Sequence, residues 1–198
     1  MKRLAIILLL VLAAIPMTAG KRLTWGLEWG YVGTFFSGMH LNYFSPDGWR
    51  ADETLNEACF LSNGEVYANI GWDLDRKWNL SIYAGYCGIQ KLHHSIPVSL
   101  RATRYFQEDE KGDRWLIFMD AGSGISIKSH PQEIFTGKIG GGYSLRLSSG
   151  TYLNFIAALR GTYTHADIEY AGEMIPYDRI NRNNAYGCSI SLGISLSF

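Results

Sequence analysis

The chain has 198 residues, 47% hydrophobic and 14% aromatic, with 18 basic side chains against 18 acidic ones. That length bounds it to one domain, or one domain plus a targeting segment, and zero net charge leaves no basic excess for a nucleic-acid partner. Glycine (22) far outnumbers proline (5), which suits a sheet with tight steric spots better than a helical bundle.

The chain opens "MKRLAIILLLVLAAIPMTAGKR". Lys2 and Arg3 precede an apolar run from Leu4 to Ile15, and small residues follow at Thr18, Ala19 and Gly20. This reads as a secretory signal peptide over residues 1–20, cleaved after Ala19 or Gly20, ahead of one domain over 21–198. The apolar run falls short of the ~20 residues a spanning helix needs. Export places Cys59, Cys87 and Cys188 in an oxidising compartment, which allows one disulfide and one free thiol. Their spacing fits no zinc site.

From there the chain repeats one pattern. Leu23, Trp25, Leu27, Trp29 and Tyr31 alternate with Thr24, Gly26, Glu28 and Gly30. Val66 to Leu74 and Trp78 to Tyr86 follow the same rule, then Val98, Leu100 and Ala102 against Ser99, Arg101 and Thr103. Trp115, Ile117, Met119 and Ala121 oppose Asp120, Gly122 and Gly124, although Leu116 and Phe118 interrupt that polar face. Two more such segments, at 138–147 and 152–163, lead to the eighth, 184–198, which ends "SISLGISLSF". Alternation with period two gives each segment one apolar and one small or polar face, as in a β-strand.

Short and long connections alternate. Short ones lie near 75–77, 107–113 and 148–150; long ones span 34–63, 89–97, 128–135 and 166–183. That is the layout of a transmembrane up-and-down antiparallel β-barrel, with short turns on the side of both termini and long loops outside. Each segment is close to the ~9–11 tilted residues that span a bilayer. A soluble sandwich or lipocalin-like barrel also alternates, but its exterior would not be crowded with Gly and Ser. Apolar-face aromatics also gather at strand ends. Trp25, Trp72, Trp78, Trp115 and Phe198 mark one side, and Tyr31, Tyr86, Tyr163 and Tyr186 the other, as interfacial belts do. The first long loop keeps the apolar phase at Phe35, Met39, Leu41 and Tyr43, and Asn63-Gly64 is a hairpin signal. The expected count is eight strands, with ten as the alternative.

The last strand, with apolar residues at every second position up to Phe198, resembles the C-terminal signal by which bacterial outer-membrane barrels are recognised for insertion. The chain as a whole resembles the small OmpA/OmpX-type barrels. The resemblance implies a monomer in the outer membrane, surrounded by lipid and lipopolysaccharide. It also implies delivery by periplasmic chaperones to the barrel-assembly machinery, and needs no cofactor or metal.

Eight strands leave an interior just wide enough for side chains. The charged inward members are Glu28, Asp73, Arg101, Asp120, Lys138, Arg146 and Arg160, and buried charges need partners. The turn centred near residue 110 sets Arg101 opposite a position within one residue of Asp120. The turn centred on 149 sets Lys138 opposite Arg160, so Asp120 is expected to serve both Arg101 and this basic pair. Lipid A deacylases are eight-stranded barrels with a His-x-Ser pair on a lipid-facing strand and an acidic orienting partner. His93 and Ser95 have that spacing, but in a stretch that reads as a loop, and no acidic residue is placed beside them. His165 is followed by Asp167 rather than by Ser. The expected function is therefore a non-enzymatic barrel whose lumen is plugged and whose loops meet other molecules. An outer-leaflet lipid-modifying enzyme and a narrow channel are the alternatives.

Overall fold

The computed structural model describes residues 23–90, 93–106, 112–127 and 132–198. The signal peptide expected over 1–20, and residues 107–111 of the acidic turn, lie outside these. The strands are β1 (Leu23–Phe44), β2 (Arg50–Asp73), β3 (Trp78–Gln90), β4 (His93–Tyr105), β5 (Arg114–Ser126), β6 (Glu133–Ser148), β7 (Thr151–His165) and β10 (Ile180–Ser197). A small hairpin, β8 (Glu169–Tyr170) with β9 (Glu173–Met174), lies in the last long connection.

Eight strands close into a ring in the order β1-β10-β7-β6-β5-β4-β3-β2. Closure is made by β1 against β10, paired from Gly26 opposite Ser197 up to Tyr43 opposite Ile180 with register shifts between Thr34 and Phe36 and between Asn42 and Tyr43. Phe198 adds to that seam. It exchanges two backbone hydrogen bonds with Trp25, and the two rings stack at 4.3 Å.

The ten-strand alternative is not realised. The stretch that suggested it forms the upper halves of β1 and β2, paired residue for residue from Phe36 opposite Ala58 to Phe44 opposite Arg50. Asn63-Gly64 makes no turn and lies extended opposite Val32 and Tyr31. A two-residue turn there needs positive φ, and among the described residues that conformation occurs at Gly48, Gly150, Ala171 and Gly172. The turn is made instead at 45–49, where the Asp47 N–H donates to Ser45 Oγ at 3.0 Å and Gly48 takes φ +86°. The outer connection expected over 89–97 is likewise mostly strand, because β3 and β4 run to within two residues of each other.

Burial is inverted relative to a soluble domain. Ile139 (67%) and Leu159 (63%) are exposed, as are all nine residues of the two expected aromatic belts. Inside sit Glu28, Glu65, Arg101, Asp120, Lys138 and Arg160, together with Tyr67, Tyr83, Leu116 and Phe118. Leu116 and Phe118, which interrupted the polar face of β5, pack with Ala158 in the lumen. Gly140 makes room for them: a Cβ there would stand 2.8 Å from the Phe118 ring.

Among the described residues, β2 pairs with β3 only from Glu65 downward, and β10 with β7 only from Asn184 downward. A three-stranded ribbon, β2-β1-β10, therefore rises clear of the wall. One face is polar: His40 lies 3.0 Å from Asp52, Asn42 donates to Asp52 at 2.8 Å, and Arg50 donates to Asn42 at 3.1 Å. The other face buries Tyr43 and Ala51 against Ile168 and Ile175 of the last connection. Tyr170 fastens that connection to the ribbon tip by donating to Asp47 at 2.8 Å.

Candidate functional site

The inward phase of four successive strands builds one row of charge. Arg101 on β4 is in register with Asp120 on β5, Asp120 with Lys138 on β6, and Lys138 with Arg160 on β7. Three of those four are cations. The missing negative charge comes from the opposite wall, from Glu28 on β1 and Glu65 on β2.

Each glutamate reaches across the lumen. Glu28 receives two hydrogen bonds from Arg101, at 2.6 and 3.1 Å. Arg101 Nε donates to Asp120 at 3.1 Å, and Ser99 donates to the same oxygen at 3.2 Å. The guanidinium lies between the Tyr83 ring, at 3.9 Å, and the Phe118 ring, at 4.3 Å. Arg101 is thereby held at its edges by carboxylates and on both faces by rings.

Glu65 receives two hydrogen bonds from Lys138, at 2.9 and 2.8 Å, and one from Ser191 at 2.5 Å. Arg160 Nη1 stands 3.5 Å from Glu65 and donates to Cys87 Sγ at 2.6 Å. All three cysteines are free thiols, so the disulfide that the sequence allowed is not formed.

Asp120 does not serve the basic pair as expected. The carboxylate that bridges Lys138 and Arg160 is Glu65, while Asp120 is engaged by Arg101 and Ser99. Sequence reasoning missed Glu65 by starting the second strand at Val66. The signal was present: Glu65 shares the parity of Tyr67, Asn69, Gly71 and Asp73.

No protein-family model matches the chain, and no curated protein matches it. Its structure is similar to that of the outer membrane protein OprG from Pseudomonas aeruginosa, at TM-score 0.51 and 11% identity over 90% of this chain and 97% of that one. Neisserial surface protein A is similar at TM-score 0.48 and 10% identity, over 90% of this chain and 99% of that chain. The chain has the fold of a small outer-membrane β-barrel.

Other expected residues sit at the rims of this barrel. Asp73 and Arg146 follow the inward phase but are only half-buried at the end with the short turns, so they are not members of the mid-lumen network. Asn79 donates to Asp73 at 2.8 Å, and Arg146 Nε donates to the Ser148 carbonyl at 3.1 Å. The His-x-Ser segment is strand rather than loop, since β4 begins at His93. Ser95 faces the lumen, fully buried, and donates to the Cys87 carbonyl at 3.1 Å. A lipid-facing nucleophile needs the opposite phase. His94 does point outward, but it stacks on Tyr86.

Proposed function

We propose that this protein is an integral barrel of the bacterial outer membrane, non-enzymatic, with its lumen closed by the cross-lumen ion pairs and its ribbon presented outside. The observation that carries this reading is the inverted burial: paired charges inside, and a continuous apolar band with aromatic rims outside. Lipid and lipopolysaccharide cover that band. Phe198, seated on Trp25 at the closing seam, serves as the assembly signal for the insertion machinery. The ribbon and the connection docked on it form the contact surface for other molecules.

Reconstitution in planar bilayers and in vesicles with brominated acyl chains tests the reading. Tryptophan emission is expected to be quenched by bromine in the chains, with no discrete conductance steps. Unquenched tryptophans would refute the membrane assignment, and discrete steps would replace the plug by a narrow channel.

A further inference from the structure

Arg160 is the lumen cation with most of its donors unused. The residue is 2% exposed. Only Nη1 is engaged, by Cys87 Sγ and Glu65. Nε and Nη2 are buried without a hydrogen-bond partner among the described residues. These two N–H groups leave the guanidinium on the same side and form the fork that takes an anion edge-on. A buried donor pair left unsatisfied is costly, so the fork points to an acceptor that is not a side chain.

Charge gives the same indication. Among the described residues, the six buried ionisable side chains with formal charge fall into two groups. Arg101 faces two carboxylates, Glu28 and Asp120, which leaves that group one negative charge in excess. Lys138 and Arg160 share one carboxylate, Glu65, which leaves this group one positive charge in excess.

Hydroxyls stand in the same row. Ser189 on β10 is in register with Arg160, and Thr34 on β1 with Ser189; both are buried. Thr34 Oγ1 and Ser189 Oγ lie 2.9 Å apart, a bond that uses one of their two protons and leaves the other to donate. The next inward residue of β10, Gly187, contributes no side chain. A Cβ there would have only Thr162 Oγ1, at 3.0 Å, as a tight neighbour.

We propose that the Nε/Nη2 fork of Arg160, with the Ser189–Thr34 hydroxyl pair, is a binding site for one small monovalent inorganic anion of the halide class. One negative charge neutralises the local excess, whereas a divalent oxyanion would reverse it.

The test uses the full barrel in detergent micelles, with bromide as the probe. Relative to the Arg160→Lys barrel in the same salts, which cancels the general salt effect on burial, the urea midpoint is expected to rise with bromide concentration at fixed ionic strength and to show no such excess with sulfate. Arg160→Lys serves as the reference because it keeps the charge and removes the fork, while Arg101→Lys should preserve the excess. If Arg160→Lys fails to fold, Ser189→Ala gives the second reading, with bromide expected to bind about tenfold more weakly. Crystals grown in bromide should show an anomalous peak at the fork. An unchanged bromide dependence in a folded Arg160→Lys or Ser189→Ala variant would overturn the site, as would an equal response to sulfate or ordered water at the fork without anomalous signal.

Discussion

Arg101 and Arg160 stand in one registered row, equally buried and three strands apart, yet their surroundings differ. Arg101 has carboxylates at its edges and a ring on each face; Arg160 has one engaged nitrogen, a thiol and a shared carboxylate. Strand register places both side chains in the lumen and does not decide how well either is served. That is decided by what the opposite wall extends toward each: Glu28 to one cation, and Glu65 to two.

The largest effect expected from this contrast is that of Glu65→Ala. It strands Lys138 and Arg160 together and should cost about 3–5 kcal/mol in urea unfolding from lipid. Glu28→Ala leaves Arg101 with Asp120 and should cost about 1–3 kcal/mol. Equal costs would dissolve the distinction between the two regions. Next comes Arg101→Lys, which gives up bidentate bonding and two ring contacts, at about 1–2 kcal/mol. Arg160→Lys loses less, under about 1 kcal/mol, because so few of its donors are engaged. A reversed order in the same unfolding series would count against the assignment of Arg101 as the better-held cation.

The smallest effect belongs to a hydrogen-bonded pair outside the lumen altogether. Asp52 on the ribbon accepts a hydrogen bond from His40, which holds its carboxyl below the ordinary value of 3.8. A depressed carboxyl contributes above its unfolded pKa and loses that contribution as pH falls through the folded one, below 3.8. The pair is exposed and screened by solvent, so Asp52→Asn should leave the unfolding midpoint at neutral pH unchanged. A clear drop would mean that the ribbon is braced by surface charge after all.

Much of this architecture was legible in the sequence because period two is hard to counterfeit over eight segments. The turn centres already set Arg101 opposite Asp120 and Lys138 opposite Arg160, and both pairs are registered neighbours. What the sequence did not carry was reach across the lumen. Glu28 and Arg101 are on strands that do not pair, and no turn relates them. Asn63-Gly64 misled for a local reason: its turn preference loses to continuous pairing of β2 along β1. Asp73 and Arg146 keep the expected inward phase and lie nearer the short-turn end, since phase fixes direction and says nothing of depth.

Closure by β1 against β10 also sets an order of events. The first and last strands are neighbours, so the ring closes through its most distant contacts in sequence, the slowest kind to form. Until then β1 and the β4–β7 wall belong to an open sheet, and the groups that will become Glu28–Arg101 and Glu65–Lys138 are still hydrated. Dehydration of six charges is thereby concentrated in a single late step. The barriers to insertion and to escape are then expected to share that step, which predicts a barrel slow to complete and, once complete, slow to open.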